Sequence, residues 1–248
     1  MSTTFSSTQF LTASRCNGQR QLSLQELVRE IIDLATDHAN QLGIGYARLA
    51  EDSMAWVLSR LSIEMDEWPA MHTTYSITTW VESVNRLFSS RCFKITSGDP
   101  DGKVMGYIRS MWAAIDMTTR KAADLSRLEP LANAVTDIPC DIEPAPKLRM
   151  LEPENVRDYI FVPTDIDCNR HVTTARYVEL CIDVLTLDDY DRADIRRFDI
   201  AFSHEALAGE HALISSARLE PDSYMFAISD KDSAKEYCIA RQLLRPRP

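Results

Sequence analysis

The strongest constraint on the fold is a pattern that occurs twice, an amphipathic helical stretch followed by a run of β-rich segments. Near the N-terminus Leu24, Leu27, Val28, Ile31, Ile32 and Ala35 recur at helical spacing. Ser23 stands ahead of them with Glu26 three residues on, the pattern of a capping box, so a helix with one buried face is expected over 23–41. The texture then changes. Segments 54–59, 61–65, 74–81, 90–95 and 104–115 are rich in β-branched and aromatic residues, and Gly98, Asp99, Pro100, Asp101 and Gly102 form a turn between the last two. In the second half a short apolar segment at 161–163 leads to a helical stretch over 173–185, with Tyr177, Val178, Cys181 and Val184 or Leu185 on one face. Segments 198–202, 211–219, 224–230 and 236–244 follow, alternating like strands. A shift of 150 residues places Val178, Ile182 and Asp183 on Val28, Ile32 and Asp33, and Thr173 on Ser23. The identities are sparse, and the shared order of elements is the better argument for duplication.

A single helix wrapped by a curved antiparallel sheet is the hot-dog arrangement. Two in one chain of 248 residues make a tandem, double hot dog of the α+β class. Five of the 11 prolines, Pro130, Pro139, Pro144, Pro146 and Pro153, fall in one stretch where periodicity fades, which favours an extended connection. The expected division is a first hot dog over 1–130, a proline-rich linker over 131–160 and a second hot dog over 161–248. Each central helix exposes free backbone N–H groups at its N-terminus, so chemistry is expected at the helix starts.

Composition removes several alternatives. With 27 basic against 37 acidic side chains the net charge is −10, which disfavours nonspecific nucleic-acid binding. Apolar runs such as 54–58 and 111–115 fall far short of the roughly 18 residues of a membrane span. The N-terminus has neither an early basic cluster nor an apolar core, so a cytoplasmic setting is expected. The six cysteines form no C-x-x-C pair and the seven glycines no G-x-G-x-x-G, so neither a metal nor a cofactor is expected.

Ahead of the second helix, Asp165, Asp167, Asn169 and His171 alternate in the chain, and an extended segment would project them to one side. The same residue types equally serve turns and caps. Cys168, one residue out of phase, is expected to point away into the core. Downstream, Glu205 ends an alternating strand before Gly209, where a lone acid reads as an ordinary solvated loop residue. At the positions 150 earlier stand Asn17, Gln19 and Gln21 in place of Asp167, Asn169 and His171, so one active site per chain is expected.

Asp167, Asn169, His171 and Tyr177, followed by a strand and Glu205, resemble the acyl-acyl-carrier-protein thioesterases of fatty-acid synthesis. The segments 56–61, 78–80, 90–93 and 110–116 also look like that family's strands, so the resemblance runs from about Phe5 to Leu244. It implies hydrolysis of a fatty acyl thioester on acyl carrier protein, with acyl-coenzyme A hydrolysis or acyl-chain binding without chemistry as alternatives. It assigns Glu205 as base, with His171 and Asn169 around the water and thioester and Asp167 orienting them. The backbone N–H groups of Val172–Thr174 are candidates for the oxyanion hole. Thr173 and Thr174 stand where the family has two asparagines, and Phe202 where it has tyrosine; the two threonines are expected to contact substrate. The first hot dog is expected to supply the acyl pocket, lined by strands carrying Trp56 and Trp80, together with Phe88 and Trp112. An acidic carrier needs a local cationic surface. Arg192 with Arg196 and Arg197, Arg241 with Arg245 and Arg247, and Arg120 with Lys121 are its candidates. The resemblance leaves a homodimer open.

Overall fold

Ten strands join edge to edge into one antiparallel sheet in this computed structural model, which describes residues 3–150, 152–233 and 235–247. The first half contributes β1 (Thr4–Phe10), β2 (Met54–Met65), β3 (Thr74–Val84), β4 (Ser89–Ser97) and β5 (Val104–Asp116). The second contributes β6 (Asn155–Ile160), β7 (Ala193–Phe202), β8 (His211–Glu220), β9 (Ser223–Asp230) and β10 (Glu236–Pro246). Their order, β1-β3-β4-β5-β2-β7-β10-β9-β8-β6, reads as the same five-strand unit from either edge. The units meet where β2 pairs with β7, from Arg60 opposite Ala201 to Glu64 opposite Arg197.

Each half wraps one helix, α1 (Leu24–Gln41) in the first and α4 (Thr174–Ile182) in the second. Shorter helices α2 (Tyr46–Glu51), α3 (Glu129–Ala132) and α5 (Leu187–Arg192) complete the chain. Val28 and Ile31 of α1, Val178 and Cys181 of α4, and the inward residues Ile77, Phe93, Phe198 and Phe226 share one apolar core across both halves. A second cluster closes the far end of the first half, with Leu42, Ile44, Leu49, Val81, Leu125 and Leu131 buried together. No helix among the described residues is long and apolar enough to cross a membrane.

The elements differ from expectation where tertiary pairing overrides local pattern. Ser23 is the N-cap of α1 but its hydroxyl makes no capping bond, and Glu26 turns to Arg29 instead. Helix α4 stops at Ile182, three residues before the expected end, and Thr186 with Asp189 forms a capping box that starts α5. Strand β6 lies within the stretch read as linker. It is a polar edge strand paired only with β8, exposed at nearly every residue, so it carries no alternation to read. Other parts of that stretch are tied to the sheet. Thr136 donates its N–H to the Val81 carbonyl at 3.0 Å, and Arg197 reaches the carbonyls of Glu143 and Pro144 at 3.0 and 3.3 Å.

Candidate active site

The duplication is most legible in the loop that leads into each central helix. A single 3-10 turn, Ala13–Arg15 or Pro163–Asp165, opens both loops. Next, Asn17 takes the N–H of Gln19 and of Gln21 on its Oδ1 at 3.1 and 2.9 Å. Asp167 takes the N–H of Asn169 and of His171 on its Oδ1 at 2.8 and 3.1 Å. Arg20 and Arg170 both adopt left-handed backbone, with φ of 61° and 67°. Leu22 donates its N–H to the Pro69 carbonyl, and Val172 donates to that of Ala206, each at 2.9 Å. The residues just before these acceptors are Trp68 and Glu205, so Trp68 occupies in the first half the place that Glu205 holds in the second.

This geometry corrects how the polar residues come together. The 163–173 segment is a 3-10 turn and a tight loop rather than an extended strand. Asp165 leaves the group: it is buried and bound to the Tyr159 hydroxyl at 2.9 Å and to Arg176 Nε at 3.1 Å. Cys168 is exposed, not directed into the core. Asp167 spends its carboxylate on loop N–H groups. Asn169 is exposed at the loop tip, and His171 faces Glu205, with Nε2 at 3.3 Å from Oε2.

Glu205 lies in the loop after β7, its side chain 35% exposed rather than enclosed by apolar groups. Its Oε2 also receives the guanidinium of Arg120 from the loop after β5, and the Lys235 amine donates to its main-chain carbonyl at 3.1 Å. Behind it Tyr177 is buried among Phe161, Phe202 and Tyr237, and burial pushes its hydroxyl pKa well up.

Of the three N–H groups proposed for an oxyanion hole, two are already used. Val172 donates to Ala206, and Thr173 donates to the Asp165 carbonyl at 2.8 Å. Thr174, the first residue of α4, keeps its N–H free of a protein acceptor among the described residues. The Thr173 hydroxyl caps the helix, accepting from the Ala175 N–H at 3.2 Å, so it is engaged in structure.

The two tryptophans separate. Trp56 packs against the apolar cluster at the end of the first half and donates Nε1 to the Ile44 carbonyl at 2.9 Å. Trp80 alternates with the inward Ile77 and Thr79, faces the outer surface of the sheet and donates to the Ile138 carbonyl of the connecting stretch at 3.1 Å. It is therefore placed to hold that stretch, not to line the interior. The basic clusters are also largely spent. Arg196 and Arg197 pair with Glu64 at 2.9 and 2.8 Å, Arg241 with Asp199 at 3.1 Å and Arg247 with Asp194 at 2.7 Å. The first-half counterpart of the site is nearly filled: a cavity of about 20 Å³ remains among Asn17, Gln21, Trp68 and Arg247, room for about one water.

Among the described residues, an acid–imidazole pair stands at the start of one central helix and has no equivalent at the other, in a protein of double hot-dog fold. The chain belongs to the acyl-ACP thioesterase family. The family model for the N-terminal domain matches residues 4–128 and that for the C-terminal domain residues 150–242. An acyl-ACP thioesterase from Bacteroides thetaiotaomicron has the same fold with a TM-score of 0.89 and 30% identity over 98% of each chain. The 12:0-ACP thioesterase from Umbellularia californica shares the fold at a TM-score of 0.85 and 17% identity, over 100% of this chain and 99% of that one. A chloroplastic acyl-[acyl-carrier-protein] hydrolase of Cuphea viscosissima is 24% identical over 199 residues, which are 75% of this chain and 48% of that protein. The chain thus spans about half the length of that curated relative.

Proposed function

We propose that the chain hydrolyses the thioester of a fatty acyl group carried by acyl carrier protein, releasing the free fatty acid. The observation that carries this reading is the contact between His171 Nε2 and Glu205 Oε2 beside the start of α4. A water between Glu205 and the thioester gives its proton to the carboxylate as its oxygen bonds the acyl carbon. The developing oxyanion is met by the Thr174 N–H and the Asn169 amide, which sits exposed at the loop tip. The carbon–sulfur bond then breaks and the thiolate takes the proton that Glu205 accepted, passed on through His171 Nε2, which returns both side chains to their starting state. Asp167 acts through the loop, holding Asn169 and His171 in place.

Membership of the family supports the choice of carrier-bound substrate, as do relatives whose names specify acyl-ACP. Arg170, exposed beside Asn169 and without an acidic partner among the described residues, is the cation best placed to meet an acidic carrier at the site's mouth. All six cysteines are free, which suits a reducing cytoplasm.

The test is turnover of matched acyl-ACP and acyl-coenzyme A substrates by the parent, Glu205→Gln and His171→Ala. The parent is expected to prefer the carrier substrate, and each substitution to lower kcat/KM about 100-fold or more. Preference for coenzyme A would replace the carrier assignment. Absence of turnover on both substrates would remove the hydrolase reading.

A further inference from the structure

Glu205 does not stand in the second half alone. The loop after β5 is built to deliver one cation to it. Asp116 accepts the N–H of Thr118 and of Thr119 on its carboxylate at 2.9 and 2.7 Å, and those bonds hold its pKa below the usual carboxylate range. The Arg120 N–H returns to the Asp116 carbonyl at 2.8 Å, the Asp116 N–H to the Lys121 carbonyl at 2.9 Å, and Met117 is tied to the Ser53 carbonyl at 2.8 Å. Arg120 itself sits in left-handed backbone, φ 58°, a conformation that disfavours a long side chain. What this conformation secures is the guanidinium on Glu205 Oε2, the same oxygen that faces His171.

Stability does not account for this arrangement. The two side chains are 47% and 35% exposed, and ion pairs so exposed contribute little to folding. The motif has a counterpart across the molecule. Arg247, just past β10, reaches Gln21 Oε1 at 3.0 Å, and Gln21 is the first-half equivalent of His171. In each half, then, an arginine following the last strand of the opposite unit reaches the polar region at the start of the central helix, Arg247 through the loop ahead of α1 and Arg120 through Glu205 in the loop after β7. Only in the second half does it meet a carboxylate placed for chemistry.

We propose that Arg120 is a positioning residue of the catalytic apparatus: by binding Oε2 it fixes the Glu205 carboxylate beside His171 and leaves Oε1 to the hydrolytic water. This rests on the hydrolase reading above, and it makes the active site a composite of both halves. Oε1 has no protein partner among the described residues. The other polar groups around Glu205 are His171 from the α4 loop, Lys235 from the β9–β10 turn, the Tyr177 hydroxyl from α4, and Glu210, which is bound to the Tyr237 hydroxyl at 2.8 Å. Among these side chains Arg120 supplies the fixed positive charge nearest the carboxylate.

The experiment compares the parent, Arg120→Gln, Arg120→Lys and Lys94→Gln on matched acyl-ACP and acyl-coenzyme A. Arg120→Gln is expected to lower kcat about 10- to 100-fold on both substrates with KM little changed, the size of effect that follows a misplaced reacting group. Arg120→Lys should restore part of the lost kcat, and Lys94→Gln, on β4, should behave as the parent. If Arg120→Gln instead raises KM for the carrier substrate alone, with kcat intact, Arg120 is a docking contact and the proposal falls. A crystal structure of Arg120→Gln provides a reading independent of turnover, because the Glu205 carboxylate is expected to leave His171. A carboxylate unmoved at its parent distance overturns the assignment even if the parent proves inactive, a result that on its own would count only against the hydrolase reading.

Discussion

Asp167 does with a carboxylate what Asn17 does with an amide, and the two loops superpose hydrogen bond for hydrogen bond. An amide oxygen is therefore sufficient for the shape. Asp167→Asn is expected to retain most of the parent's turnover, whereas Asp167→Ala leaves two loop N–H groups without their acceptor, at about 1 kcal/mol or more each, and should lose activity together with thermal stability. Equal loss of activity in both variants would show that the charge itself takes part. A different carboxylate supports the β9–β10 turn. The Ser233 hydroxyl and N–H, the Asp232 N–H and the Tyr237 hydroxyl all donate to Asp230 and hold its pKa down to about 2. A depressed carboxylate stabilises the fold above its unfolded pKa of about 4 and loses that contribution as pH falls toward its folded value. The difference in Tm between the parent and Asp230→Asn should accordingly be largest near neutrality and narrow below about pH 4, as thermal melts across that range would show.

At the scale of elements, what could be read from the sequence depended on whether one face of an element is buried. Helix α1 and strands β3, β4 and β5 bury an apolar face, so their periodicity located them within a few residues. The two edge strands escaped. Strand β1 is held by hydroxyl pairs, Ser6 with Thr78 and Thr8 with Ser76, each at 2.8 Å, and β6 is polar and exposed, so neither shows the pattern that marks a half-buried strand. In the active loop the residue types were informative and their assumed geometry was not. Alternation suggested an extended segment, and the left-handed turn at Arg170 that brings His171 to Glu205 leaves no signature in an arginine. The role of Arg120 had no local signal at all. It lies 85 residues from Glu205, and only the closure of the sheet brings the two together.

Across the whole molecule the charged residues serve the joint between the halves more than a docking face. Asp199 is fully buried where β2 meets β7, bound by the Ser62 hydroxyl at 2.6 Å, by Arg197 and by Arg241. Arg197→Ala is expected to lower stability by about 2 kcal/mol in denaturant melts, less than the roughly 3–5 kcal/mol of an uncompensated buried ion, because Arg241 and Ser62 remain. A change in carrier affinity at unchanged stability would contradict this assignment. The joint also sets an order of events in time. The β2–β7 ladder closes between residues as far apart in sequence as Ser62 and Asp199, 137 positions, whereas the hairpins of each half close locally. Distant closures of this kind carry the larger entropic cost and come late in folding. Arg120 and Glu205 arrive from opposite sides of that seam, so a chain with both halves formed but not yet zipped together lacks the ion pair between them, and that contact is among the last to form.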